Sequence, residues 1–160
     1  MTPNQQSKNA QKGSALVEIA LSYAALVLVG LITLKATYTA SASQAWTVKQ
    51  SMTDAYITRE TALASRFPFD EITTDASLWA LSPDTTESSV VIGKMPGGGE
   101  VEAKLYRTRI PDPNNLTTAG GTGTSITNPG STEAWQLQSM LVYNVTDKTY
   151  VKTRTVLRIR

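Results

Sequence analysis

Glu18 is the residue with the clearest chemical potential, because it is the only charged side chain in the apolar stretch 14–34. A stretch of this length crosses the ~30 Å hydrocarbon core of a bilayer as a helix. A carboxylate at membrane depth is costly and usually has a function. A lone buried charge is unfavourable, whereas a well-made ion pair is tolerated. The pattern therefore indicates that Glu18 is retained for a function.

Composition argues against most catalytic chemistry. The 160 residues include no histidine and no cysteine, so the usual general base near neutral pH, disulfides and thiolate metal sites are missing. Ser88, Ser89 and Lys94 are neighbours in sequence without a hydrolase motif. The formal charge of +2 is spread along the chain, which predicts no nucleic-acid binding. We expect no enzymatic activity, no catalytic residue, no cofactor and no metal site.

The apolar stretch is open to three interpretations. Lys8 and Lys12 precede it and favour a cytoplasmic N-terminus with the bulk of the chain outside the membrane. It is either a secretory signal cut after Ala40-Ser41-Ala42, a plain signal anchor, or a segment processed at its start. The third interpretation also accounts for Glu18.

The order Lys12-Gly13, then Ser14-Ala15-Leu16-Val17-Glu18, then an apolar run resembles the class III signal of type IV pilin-like proteins. It looks closest to minor pilins of tight-adherence systems and minor pseudopilins. The resemblance implies that a prepilin peptidase cuts after Gly13 and that Ser14 becomes the new, methylated N-terminus. It also implies that Glu18, the fifth mature residue, pairs with the terminal ammonium of a neighbouring subunit. Ser14 replaces the phenylalanine of many type IV pilins.

The function implied by this resemblance is that of a structural filament subunit, a minor pilin or pseudopilin. Its expected partners are the prepilin peptidase, other subunits through the N-terminal helix, an inner-membrane assembly platform and membrane lipid. Its expected location is the bacterial inner membrane, single-pass, with the head extracytoplasmic, and then a surface or periplasmic filament. The alternative is a membrane-anchored extracytoplasmic binding module that is not assembled into a fibre.

The organisation expected is a leader at 1–13, a transmembrane and filament-core helix at 14–34, its continuation at 35–67 and a β-rich head at 68–160. No proline lies between Pro3 and Pro68, which predicts a helix from Ser14 to about Ser65, with a break possible at 36–44. One helical stripe is expected to pack on the sheet; it comprises Trp46, Lys49, Thr53, Tyr56, Glu60, Leu63 and Phe67. The irregular segment that follows the helix is expected to pack through Phe67, Phe69, Ile72, Leu78, Trp79 and Leu81.

The head is predicted to be a small antiparallel sheet of about four strands, giving an α+β fold of pilin-like lollipop shape. Two hairpins are expected, one across MPGGG and one across TDKT. Alternation places one apolar set of residues inward and leaves a basic face on the last strand, which is either solvated or able to dock an acidic partner. The inward set comprises Val101, Ala103, Leu105, Leu137, Leu141, Tyr143 and Val145; the basic face comprises Lys152, Arg154, Arg158 and Arg160.

The connection at 111–132 is rich in Gly, Pro, Asn and Thr and is too long to be a simple loop. Such a segment is either a mobile surface element or a functional one. Asp112, Asn114 and Asn115 have the oxygen atoms for a calcium site, although clustered turn residues more often form turns.

Overall fold

A long helix, α1, spans Gln5–Arg66 in the computed structural model of the chain. The structure describes residues 5–145 and 148–160, with side chains from residue 16 onward. The helix ends two residues before Pro68, because proline disfavours helical backbone at the residue that precedes it. The prediction of a helix to about Ser65 is therefore confirmed, and residues 36–44 are helical throughout. The first four residues of the expected leader lie outside the described residues.

The chain divides into two compact units, Met1–Ala45 and Trp46–Arg160. In the first unit, all described side chains from residue 16 to residue 44 are exposed, including the large apolar ones. Thr33, Thr37 and Thr39 donate their hydroxyls to the carbonyl oxygens four residues earlier, at 2.8, 3.0 and 2.9 Å. These hydrogen bonds satisfy the hydroxyls within the helix itself.

The second unit contains the last part of α1 and a mixed sheet. Its further elements are α2 (Phe69–Ile72), β1 (Ala80–Leu81), β2 (Thr86–Lys94), β3 (Glu100–Pro111), β4 (Ala134–Val145) and β5 (Lys148–Ile159). Strands β2 to β5 pair successively and antiparallel, whereas β1 pairs parallel with β3. The α+β class is confirmed.

The expectation of a purely antiparallel sheet of about four strands is wrong because of β1. The backbone N–H of Ser82 donates to Arg109 O at 2.9 Å, and that of Asp84 donates to Leu81 O at 2.9 Å. The chain thus turns between β1 and β2, and both strands lie along the same edge of β3. A strand of two residues has no alternation that a sequence pattern can detect.

The first predicted hairpin is confirmed. Strands β2 and β3 pair across the segment 95–99, where Met95 N–H donates to Gly99 O at 2.7 Å. Gly97 and Gly98 have φ values of 113° and 91°, a conformation that glycine adopts without a Cβ clash. Strands β4 and β5 form the second predicted hairpin, although Thr146 and Asp147 in its turn lie outside the described residues.

The core lies between α1 and one face of the sheet, the inner face. The predicted inward residues of β3 and β4 are all buried. On the helix, Thr53, Ile57, Glu60 and Ala64 are at most 2% exposed. The predicted stripe contributes Thr53 and Glu60, so its packing on the sheet is confirmed. Ile57 lies beside that stripe and was not predicted to be buried, because the buried face of the helix is centred one residue away from the predicted stripe.

The segment between α1 and β2 is only partly packed as predicted. Ile72 and Trp79 are fully buried, and Phe67 and Phe69 pack against the same cluster. The expectation that Leu78 and Leu81 also pack is wrong, since they are 40% and 48% exposed.

A buried ion pair joins α1 to the centre of the sheet. Arg107 on β3 donates from Nε to Glu60 Oε2 and from Nη2 to Glu60 Oε1, both at 2.9 Å. The two side chains are 14% and 2% exposed. The guanidinium also lies 5.6 Å from the ring centroid of Trp79, whose indole N–H donates to Ser139 Oγ at 3.2 Å. Bidentate geometry of this kind gives a strong and directional contact.

Two more arginines of the sheet hold main-chain carbonyls. Arg109 donates to the oxygens of Ile72 and Thr74, and burial lowers the pKa of its guanidinium, an effect that Asp75 opposes. Arg158 donates to Ala64 O at 2.7 Å and Phe67 O at 2.8 Å. Because the last carbonyls of a helix have no partner within the helix, Arg158 caps the end of α1.

The basic face of β5 lies on the same side of the sheet as α1. The expectation that this face is solvated or free to dock a partner is therefore wrong for Lys152 and Arg158, which are partly buried, whereas Arg154 and Arg160 are exposed. Besides Arg158, Lys152 pairs with Asp54 at 2.5 Å, and Arg160 pairs with Asp70 and with Glu133. The register with β4 aligns β5 in this way, because it sets Val156 opposite the buried Leu137. The apolar residues Val151, Leu157 and Ile159 consequently face outward and are 56%, 54% and 59% exposed.

We predict that Glu60→Ala lowers the free energy of unfolding of the second unit by about 3–5 kcal/mol, because it leaves Arg107 buried without a counter-charge. Replacing both residues together by leucine and methionine should recover most of this loss. Urea unfolding followed by the fluorescence of buried Trp79 and Trp135 measures the effect. Glu87→Ala, which breaks the exposed pair with Lys104 at 2.7 Å, is the control and should change little. Equal losses for both single variants would contradict the prediction.

Candidate processing and assembly site

The three residues predicted to govern processing and assembly, Gly13, Ser14 and Glu18, lie on α1. The backbone of all three is helical, and the surroundings of Gly13 and Ser14 lie outside the described side chains. Ser14 and Glu18 are four residues apart, a rise of about 6 Å and roughly one turn. The helix therefore sets the amino group that cleavage after Gly13 would release within one turn of the carboxylate.

Glu18 projects from an apolar surface. Its neighbours Leu16, Val17, Ile19 and Leu21 are 68–72% exposed, and Glu18 itself is exposed. Among the side chains from residue 16 onward, the next charge along the helix is Lys35, about 25 Å away at 1.5 Å per residue. That distance is too great for an ion pair. Among the side chains described from residue 16 onward, the helix therefore offers Glu18 no counter-charge.

The helix has the length and composition of a membrane span. From Leu16 it is long and apolar enough to cross a bilayer, and the richest window of its apolar part has no residue buried by the rest of the chain. A signal sequence near an N-terminus has the same properties. The prediction of a transmembrane segment is thus supported at the level of length and composition, which do not fix orientation or the membrane concerned.

The long connection between β3 and β4 is an ordered structure built by two buried asparagines. Asn115, 1% exposed, donates from Nδ2 to Ala134 O at 2.8 Å and accepts from Ala134 N–H at 2.8 Å. Asn128, 6% exposed, donates to the oxygens of Asn114 and Thr132 and accepts from Thr132 N–H. Each amide side chain replaces a main-chain pairing partner, so the loop is fixed without regular secondary structure.

The three residues with oxygen atoms for a calcium site are used by the loop itself. Asp112 Oδ1 accepts from Asn114 N–H at 2.9 Å, which is an Asx turn. The side chain of Asn115 is committed to Ala134 and to Ala119 O. Among the described residues, no group of three or more His, Cys, Asp or Glu is placed to hold a metal ion. The arrangement favours turn formation as the role of these residues.

The structure does not bring Ser88, Ser89 and Lys94 together into a site. Ser88 pairs with inward Leu105 while Ser89 pairs with outward Lys104, so the two hydroxyls lie on opposite faces of the sheet. Lys94 Nζ lies 3.2 Å from Glu100 Oε1.

Ile126, a residue of the ordered loop, lies at the surface, and the sequence pattern did not predict this position. Its side chain is 88% exposed, and it lies between Thr124 and Thr127, which hydrogen-bond to each other across it. The signal available in the sequence was an aliphatic residue within the uncharged segment 113–132. Such a residue is most often buried, so its type alone did not indicate a surface position.

Comparison with protein-family models, with curated proteins and with solved structures finds no match to this chain. The resemblance to pilin-like proteins therefore rests on residues 12–34 and on no wider similarity.

We predict that Gly123→Ala disorders the loop, because a Cβ at this position would lie 2.1 Å from the main-chain oxygen of Asn114. The expected result is faster amide hydrogen exchange across 113–132 with little change in the strands. Gly99→Ala is the matched control, since a Cβ there meets no atom within 4 Å. Unchanged exchange in the loop of the Gly123 variant would show that the packing of its backbone is not what orders it.

Proposed function

We propose that this chain is a structural subunit of a type IV pilus-like or type II secretion-like filament, a minor pilin or pseudopilin processed after Gly13. The observation that carries the proposal is the isolated carboxylate of Glu18, which lies on an exposed apolar helix one turn after Ser14 and has no counter-charge nearby among the side chains described from residue 16 onward. A catalytic role has no comparable support, since the chain contains no histidine or cysteine.

The proposed assembly step follows from electrostatics. Cleavage after Gly13 frees the amino group of Ser14, and the ammonium of one subunit pairs with Glu18 of its neighbour. Opposite charges a few ångström apart attract strongly in an apolar medium. Each charge therefore stabilises the other within the packed helices, and a shifted register would leave both unpaired. The pair fixes the stagger between adjacent subunits.

Cleavage also changes the charge balance of the chain. The leader contains Lys8 and Lys12 and no acid, so 15 − 2 = 13 basic residues remain against 13 acidic residues. A subunit with balanced side-chain charge accumulates less repulsion when many copies pack together. This proposal places the N-terminus in the cytoplasm and the head outside the bacterial inner membrane. The prepilin peptidase, an assembly platform, other subunits and membrane lipid are the proposed partners.

A second candidate is a binding module held outside the membrane by an uncut signal anchor. The observation in its favour is the ordered loop that presents Ile126 to solvent. This candidate makes the loop the functional surface and leaves the chain monomeric in the membrane. It provides no role for Glu18.

We predict that the mature protein begins at Ser14, with its amino group methylated. Mass spectrometry of the N-terminal peptide from membrane-extracted protein measures this directly. A start near Ser43 would instead indicate ordinary secretion, and an intact Met1 would support the signal-anchored module. Gly13→Val, in which a branched side chain occupies the position before the cut, should abolish the Ser14 terminus.

We predict that Glu18→Gln strongly reduces recovery of the protein in sheared filaments while processing continues. The amide keeps the size of the side chain and removes the charge that pairs with the ammonium. Quantitative blotting of sheared and membrane fractions measures the distribution, and Ser22→Ala on the same helix is the control. Wild-type recovery of the Glu18 variant would remove its proposed role.

A further inference from the structure

Strand β5 forms an edge of the sheet. It pairs with β4 on one side, and no strand of the described residues pairs with it on the other; we call that side the free edge of β5. The pairing with β4 covers 12 residues without a register shift, and β5 contains no proline or glycine. Short length, bulges and proline are devices that protect an edge strand from further pairing, and β5 has none of these three.

The direction of the main-chain groups of β5 follows from one bonded pair. Glu133 N–H donates to Arg160 O at 2.9 Å, and Arg160 N–H donates to Glu133 O at 2.8 Å. In an antiparallel ladder, residues that exchange bonds in this way alternate with residues that do not. The alternate residues of β5 therefore direct their N–H and C=O groups to the free edge. They are all uncharged and exposed, and they comprise Thr149, Val151, Thr153, Thr155, Leu157 and Ile159.

The charged residues of β5 do not shield the free edge. Their side chains lie on the α1 side of the sheet, where Lys152 pairs with Asp54 and Arg158 donates to Ala64 O. The free edge thus presents main-chain donors and acceptors beside uncharged side chains. The partner that matches such an edge is an extended strand, because its own main-chain groups continue the ladder.

The opposite edge of the same sheet presents a strand of the complementary charge. Strand β2 pairs with β3 and with no other described strand. Residues 82–91 along this edge include Asp84 and Glu87 and no base, whereas β5 contains bases and no acid. Among the described residues, neither Asp84 nor Arg154 has an ion-pair partner. Pairing of like edges would bring like charges together, which is unfavourable.

We infer that the free edge of β5 in one copy of this chain pairs with β2 of the next copy. The contact joins two different edges, so a pair of copies keeps one free edge of each kind, and the contact can repeat in an open array. The inference rests on the proposed function, because a filament holds neighbouring copies at high effective concentration. It adds that at least two copies of this chain are consecutive and specifies which strands of their heads meet.

Thr153→Pro tests the pairing, because it removes an N–H directed to the free edge and leaves the bonds to β4 in place. Proline is accepted on edge strands for this reason. The expected result in the full-length chain is several-fold lower recovery in sheared filaments, with the Ser14 terminus and the urea midpoint unchanged. Thr153→Ala, which keeps the N–H, is the matched control. Wild-type recovery of the proline variant overturns the contact, and so does an equal loss in both variants.

Amide hydrogen exchange of the wild-type chain is a second test that needs no substitution. The N–H groups of Val151, Thr153 and Thr155 should exchange several-fold more slowly in filaments than in detergent-extracted, unassembled chains, and N–H groups of β2 should slow with them. Unchanged exchange on β5 overturns the contact. Slower exchange on β5 without β2 also overturns it, since another protein then supplies the strand.

The outcomes separate this inference from the proposed function. Filaments of the processed chain in which exchange on β5 and β2 is unchanged leave the subunit role standing and remove only the strand contact. A chain that lacks the Ser14 terminus and never enters a sheared fraction overturns the proposed function, and with it the array that the contact requires.

Discussion

The ion pair between Glu60 and Arg107 is the contact on which the second unit depends, because it fixes how α1 meets the sheet. Both charges are removed from water, so neither tolerates a shift of the helix along or around its axis. Apolar burial of Ile57 and Ala64 also stabilises the contact, but the hydrophobic effect is non-directional, whereas the bidentate ion pair is directional. The position of Glu60 in turn sets Asp54 opposite Lys152 and the end of α1 opposite Arg158.

Charge is used in opposite ways in the two units. In the second unit, cationic side chains of the sheet find acids or carbonyls within the same chain, although Arg109 Nε and Trp135 Nε1 are buried without a hydrogen-bond partner among the described residues. In the first unit, Glu18 has no such partner among the described side chains, and the apolar surface around it is exposed. A unit whose charges are largely paired within the chain does not require a partner to stabilise them, whereas a unit with an exposed apolar surface and an unpaired carboxylate is suited to associate with other helices. This contrast is the physical basis of the proposed division between a head and an assembly helix.

The sequence predicted the structure correctly where the apolar residues of a segment recur with a single helical or strand period. Absence of proline and a helical apolar stripe located α1, and alternation on β3 and β4 identified the core residues from Val101 to Val145. It failed on β5, where apolar and basic residues alternate equally well in either orientation. The register with β4 and the acidic residues on α1 decide which set faces inward, and these are contacts between residues far apart in the sequence. The proposed site residues Gly13, Ser14 and Glu18 come from a local motif, whereas the exposure of Ile126 depends on how Asn115 and Asn128 fold the loop.

The cap that Arg158 places on α1 has a consequence for the order in which the protein is built. Arg158 reaches Ala64 across a separation of 94 residues, and Lys152 reaches Asp54 across 98. Chains are synthesised from the N-terminus, so the helix emerges from the ribosome long before the strand that closes its end. Contacts of such high sequence separation form late and slowly. Under the proposed function, the apolar segment therefore has time to reach a bilayer while the head is still open, so that membrane delivery and head closure would be successive events.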